Sequence, residues 1–219
     1  MLFYVNSHLI TRTCPDAFKA LLHAPLNDKI FRGIVVDIPE HSAILNVILH
    51  VFYNMSPAHH SPPLEVLEDA VQRMSVYGLN PSDHIIPSKP LFDLLLSHVC
   101  VSAIWVYTLA GQHGLHDLAE RVSSHLLSYT LSDLSDDLAK RMGAKYLRRL
   151  MALHFTRVEE LKRIILLPPP PHPATADCDF LEQKKLGRAW ALAASYLAWD
   201  SRPGTFPFFC EHRLRLALC

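Results

Sequence analysis

Residues 94–116 read LLLSHVCVSAIWVYTLAGQHGLH, a stretch of 23 residues with no Asp, Glu, Lys or Arg. It is as long as the roughly 20 apolar residues that a bilayer requires. Ser97, His98, Ser102, Gln112 and His113 punctuate it, and no Lys/Arg cluster flanks either end to set an orientation. The stretch therefore predicts two buried helices joined near residues 98–101, with no membrane span. Working outward, residues 91–97, 102–112 and 115–129 follow one another with the short connections that antiparallel helix pairs use.

Helical period continues on both sides. Upstream, residues 42–53 place Ile44, Leu45, Ile48, Leu49 and Phe52 on one broad stripe. Pro62-Pro63 opens the next helix, whose Leu64, Leu67, Val71 and Met74 face a core while Glu65, Glu68, Asp69 and Arg73 face water. Gly78 stands where a left-handed cap is wanted. Pro15 starts a short helix carrying Phe18, Leu21 and Leu22. Only Phe3-Tyr4-Val5 and residues 34–38 (Ile-Val-Val-Asp-Ile) are β-branched or aromatic runs bounded by turn residues, and these predict short strands. Downstream, Ser132 is the predicted cap of a helix with Asp133, Asp136 and Asp137 at its positive end. Gly143 separates that helix from one whose stripe is Leu147, Leu150, Met151 and His154, opposite Lys145, Arg148 and Arg149. Residues 168–171 are four consecutive prolines, which cannot continue a helix and predict an extended spacer through Pro173. Residues 180–199 resume as a helix with Leu186, Trp190, Ala193, Ala194 and Leu197 on one side. The expected core includes Phe18, Leu22, Phe52, Tyr53 and Met74, and the run Trp105, Tyr107, Leu109 reads as packing.

Composition narrows the function. The 219 residues are 50% hydrophobic and 19% charged, which excludes a disordered chain. Lys+Arg and Asp+Glu each number 21, so the basic excess of a general nucleic-acid binder is missing. The neutrality is a compensation: residues 61–130 carry three basic against seven acidic side chains, and residues 131–219 carry fourteen against ten. The 7 glycines form no GxGxxG or GxxxxGK[ST] phosphate loop. Cys14, Cys100, Cys178, Cys210 and Cys219 are odd in number and widely spaced, which predicts neither a disulfide framework nor a zinc site. The N-terminus is too short in apolar residues for a signal segment. A reducing cytoplasmic or nuclear compartment fits this usage.

No catalytic constellation follows from the residues. Among 14 histidines, His113 and His116 lie three apart and His59 and His60 are adjacent, yet a first-row metal needs three or four converging ligands. There is no GxSxG. Glu159-Glu160 and Asp136-Asp137 are sequence neighbours, hence splayed on a helix, and capping or solvation accounts for them. Cys100 sits in an apolar run, where a thiol is an inert small hydrophobe. The basic stretch Lys140, Arg141, Lys145, Arg148, Arg149, Arg157, Lys162 and Arg163 fits a solvated face with i,i+3 and i,i+4 partners in Glu159 and Glu160. Its functional alternative is a surface for an acidic partner or anionic lipid. The expectation is no enzyme, no cofactor, no metal and no catalytic residue.

The element order adds a resemblance. Phe3-Tyr4-Val5-Asn6-Ser7-His8-Leu9-Ile10 with Cys14-Pro15-Asp16-Ala17-Phe18 resembles the second strand and following helix of a BTB/POZ domain. Residues 34–38, 44–53 and 64–79 are similar to its next strand, its packed helix and the helix that follows. The segment from Trp105 to Ala119, Tyr146-Leu147-Arg148-Arg149-Leu150 with His154, and residues 182–200 are similar to the helical part of the large fungal branch of that family. The sequence has Asn6-Ser7 where the family often has His-Lys, and Cys14 and Phe18 stand one residue further apart than its Ser-x-x-Phe. The chain begins at what would be the second strand and stops soon after Phe208-Phe209-Cys210, so the resemblance implies a member truncated at both ends.

That resemblance implies a mainly α (α+β) fold: an incomplete BTB/POZ-like core over 1–88 with a small N-terminal sheet, a helical extension over 89–167, a Pro-rich linker over 168–178, a C-terminal helix over 179–200 and an irregular tail over 201–219. It implies a non-catalytic protein–protein interaction module that self-associates or binds another BTB protein, with a cullin-type ubiquitin ligase scaffold as one such partner. Two other classes stay open on the residues: a histidine-based metal-dependent enzyme using His113 and His116, and a peripheral membrane-binding protein using residues 140–163.

Overall fold

The structure, a computed structural model, describes residues 1–6 and 37–199. Within them the repeating structure is helical: α1 (Ser42–Phe52), α2 (Leu64–Met74), α3 (Pro81–His84), α4 (Pro90–Ser97), α5 (Val99–Gln112), α6 (His116–Ser123), α7 (Asp136–Ile165) and α8 (Phe180–Trp199). The chain divides into two compact units, the first built from Met1–Ser124 with Asp136–Gly143, the second from His125–Ser135 with Ala144–Cys219.

The first unit is organised around α5. Helix α1 is capped by the His41 side chain, whose Nδ1 accepts from the Ala43 N–H at 3.3 Å. Its end closes with Asn54 in the left-handed region (φ 52°) and the Met55 N–H donating to the His50 carbonyl at 2.8 Å, satisfying a carbonyl the helix leaves over. Helix α2 packs on α1 and buries Leu67, Ala70, Val71 and Met74. Gly78, at φ 77°, closes the turn after α2, as its position in the sequence predicts. Helices α4 and α6 both pack on α5, burying Leu95, Val106, Leu109, Ala110 and Leu118. The uncharged stretch is thus divided as expected: α4 ends at Ser97 and the regular part of α5 begins after a break at Ser102 (φ −135°, ψ 41°).

One close approach fixes this packing. A Cβ at Gly111 would lie 2.7 Å from the Met142 carbonyl oxygen and 3.0 Å from the Met142 Cα, so α5 and the 136–143 segment touch backbone to backbone. Nearby, Arg141 donates to Glu68 Oε2 at 2.9 Å, and its guanidinium stands 5.7 Å from the Trp105 ring centroid.

In the second unit, α7 continues beyond a break at Gly143 (φ 75°, ψ 160°) and buries Tyr146, Leu150 and His154. The His154 ring is held by a backbone hydrogen bond with Leu126, and its Nε2 is buried with no partner. Burial pushes its pKa below the ordinary 6.5, against that hydrogen bond, and the nearby Arg157 charge adds to the lowering. Burial likewise lowers His84 and His113. A histidine whose folded pKa is depressed is kept neutral by folding, so below 6.5 the unfolded chain binds more protons. Stability is therefore expected in full above about pH 6.5 and to decline as the pH falls from there toward the folded values. Denaturant midpoints across this range check it, and His154→Leu is expected to flatten the slope; an unchanged slope contradicts the assignment to His154.

Several expectations need correction. Phe3-Tyr4-Val5 is not a strand: residues 1–6 are irregular, with Tyr4 fully exposed, because no neighbouring strand among the described residues supplies a ladder. The small N-terminal sheet is accordingly absent from the described residues, and the fold there is mainly α. Residues 34–36 of the second expected strand, Phe18, Leu21 and Leu22 of the expected first helix, and the tail lie outside the described residues. Phe52 and Met74 are buried, but Tyr53 is half-exposed and its hydroxyl accepts from the Asn6 N–H at 2.8 Å. Ser132 does not cap α7; it lies in a 3-10 turn ahead of a helix that begins at Asp136. Glu68 turns partly inward to meet Arg141. Cys100 is exposed, since the irregular 98–102 junction rotates it outward.

Candidate interaction surface

Chemistry requires convergence, and the candidate residues do not converge. His113 is the residue that ends α5, with its Nε2 buried and unpartnered; Gly114 at φ 69° then turns the chain before His116 opens α6. Among the described residues no three His, Cys, Asp or Glu side chains are placed to hold a metal ion. His50, His59 and His60 do meet, but edge to face, with ring centroids 5.3 and 4.5 Å apart and the His50 Nδ1 engaged with the Asn46 carbonyl at 2.7 Å. The depression lined by Pro87, Asp117, Glu120, Arg121 and Ser124 holds no nucleophile paired with a base, because the Ser124 hydroxyl donates back to the Arg121 carbonyl.

The basic stretch is largely engaged locally. Lys145 and Arg149 stand 5.5 Å from the Tyr146 ring centroid. Lys162 and Arg163 pair with Glu159 and Glu160 at 3.6 and 2.8 Å, as the i,i+3 spacing predicts. Such exposed pairs contribute about 0–1 kcal/mol each.

The unusual feature lies in α8. Asp179 caps it, accepting from the Glu182 N–H at 2.9 Å, and the Ala-rich stretch 189–198 propagates it. Gln183 ties the preceding segment down: its side chain accepts from the His172 N–H at 3.3 Å and donates to the His172 carbonyl at 2.9 Å. The helix occupies the residues that the sequence predicts, and Ala194 of the expected stripe is its buried residue, but little else on that stripe is covered. Only Ala194 is buried, with Gly187 and Ala198 partly covered beside it. The large side chains point away. Leu181 is 58% exposed, Leu192 76%, Tyr196 70% and Trp199 94%. Leu186, Trp190 and Leu197, the expected core stripe, also remain substantially exposed.

A surface helix usually covers most of its large apolar side chains, and here Leu181, Leu192, Tyr196 and Trp199 stay open to solvent. Phe155, Ile164, Leu166 and Leu167 of the same unit are exposed as well. Sequence reasoning missed the outermost residues because the stripe through Trp190 and Leu197 dominates the pattern; the recurrence of Leu181, Leu192, Tyr196 and Trp199 along a second stripe was the available signal. Among the described residues no helix is long and apolar enough to cross a membrane. No protein-family profile, curated protein or solved structure matches the chain.

Proposed function

We propose that this chain is a non-catalytic protein–protein interaction module, acting in the cytoplasm or nucleus as an oligomerisation or adaptor unit. The observation that carries the reading is the outward display of Leu181, Leu192, Tyr196 and Trp199 on α8. Apolar surface of this kind is stabilised when another surface covers it, at roughly 25 cal/mol per Å2 removed from water. The order of helical segments that resembles a BTB/POZ protein supports the same reading, and so does the scattered placement of the histidines and carboxylates.

A photoreactive amino acid at position 192, in chain expressed in its native cell, tests it. The expected result is a covalent adduct with a polypeptide, absent when the probe sits at the solvent-exposed position 65 of α2. Lack of any polypeptide adduct at 192 overturns the proposal. Stoichiometric zinc or iron in the purified protein would instead favour a metal enzyme.

A further inference from the structure

Which polypeptide covers α8 follows from the residue order along its outer side, and this inference rests on the interaction-module reading. At 3.6 residues per turn, Lys185, Arg188, Leu192, Tyr196 and Trp199 share one stripe opposite Gly187 and Ala194. The stripe is self-complementary about Leu192. Lys185 lies seven residues before it and Trp199 seven after; Arg188 lies four before and Tyr196 four after. Each cation is therefore matched, across Leu192, by an aromatic ring of the kind that accepts cations on its face.

The geometry points to a second copy of this chain as the occupant. Two α8 helices pack antiparallel with Leu192 against Leu192 of the partner subunit on the two-fold axis. Lys185 then lies over the partner's Trp199 and Arg188 over the partner's Tyr196, and symmetry repeats both contacts. Rings already hold cations within one chain, in the Arg141–Trp105 and Arg149–Tyr146 pairs.

Charge selects the direction. Glu182, Lys184, Lys185 and Arg188 occupy the first half of α8, and residues 189–199 carry no charge. Parallel pairing sets these net-positive halves side by side, whereas antiparallel pairing separates them and gives each cation a ring. Among the described residues the competing contact is Lys185 with Glu182 at 2.8 Å, an exposed and therefore weak pair. A lipid surface fits less well, because interfacial helices segregate cations and rings to opposite faces, and here both lie on one face, the cations in its first half and the rings in its second. The exposed parts of Leu181, Leu192, Tyr196 and Trp199 amount to about 600 Å2, approaching the roughly 800 Å2 per partner of a stable association. Dimerisation is accordingly concentration-dependent.

Sedimentation equilibrium of the full chain, from low to several hundred micromolar, tests this. The expected mass rises from 24.8 kDa toward twice that value. Leu192→Lys places two like charges on the axis, and Trp199→Lys sets Lys against Lys; each is expected to weaken the dimer roughly tenfold or more, with helical circular dichroism unchanged. The exchange Lys185→Trp with Trp199→Lys is expected to restore association, which only the antiparallel register about Leu192 provides. A wild-type chain that stays monomeric overturns the inference, as does a dimer indifferent to Leu192→Lys or an exchange variant that stays as weak as Trp199→Lys. If the chain is monomeric while the probe at 192 attaches to a different polypeptide, the interaction-module reading stands and self-pairing falls; if no adduct forms, both fall.

Discussion

Replacing Phe52 with Ala is expected to lower the unfolding free energy by about 3–5 kcal/mol. Phe52 closes α1 and is 3% exposed, and α1 packs on α2. Removing the ring leaves a cavity that the flanking Ile48 and Val51 cannot fill without moving the helix. The loss comprises the transfer energy of the ring and the contacts its lining forfeits. Denaturant unfolding monitored by circular dichroism measures it, and a midpoint unchanged by the substitution removes Phe52 from the core.

The second large effect falls on a glycine. On helix propensity alone, Gly111→Ala gains about 1 kcal/mol. The added Cβ, however, meets the Met142 carbonyl oxygen at 2.7 Å and its Cα at 3.0 Å, and a backbone atom cannot rotate aside as a flexible side chain does. Overpacking of this kind costs about 1–3 kcal/mol; with backbone as the obstacle the upper part of that range applies, so the clash outweighs propensity and the variant is expected to be less stable by up to about 2 kcal/mol. Gly187→Ala is the matched opposite. Nothing lies within 4 Å of a Cβ there, so this variant is expected to gain up to about 1 kcal/mol. Thermal unfolding of the two proteins side by side decides the matter; the same sign of change in both contradicts the close approach at Gly111.

Much of the helical framework was legible because period and punctuation agree. Helix α8 occupies the residues its pattern marks, Pro63 opens α2 and Gly78 ends the turn after it, and Gly143 breaks α7 where the pattern separates two helices. Three kinds of information were not legible. Period says which residues share a face but not which face finds a neighbour, so α8 reads equally well packed through Ala194 or through Leu192 and Tyr196. A strand is a property of a pair, and Phe3-Tyr4-Val5 carries the propensity without a ladder among the described residues. Short elements leave too few residues for periodicity; α3 is four residues long and is set by Asn80, whose side chain accepts from the Ser82 N–H at 3.3 Å, with Pro81 following.

The interaction surface was hidden for the first of these reasons. Tyr196 and Trp199 are ordinary members of a helical pattern until α8 is seen to bury its opposite side at Ala194. His113 and His116 illustrate the reverse case. Their spacing alone allows a shared helical side, but the glycine between them already argues against it in the sequence, and Gly114 at φ 69° turns the chain there.

Oxidative footprinting of Tyr196 and Trp199, in intact cells and in dilute purified protein, tests most directly whether another polypeptide covers α8. The account predicts strong labelling of both rings in dilute solution, where they are 70% and 94% exposed, and clear protection in the cell. Equal labelling in both settings would contradict it.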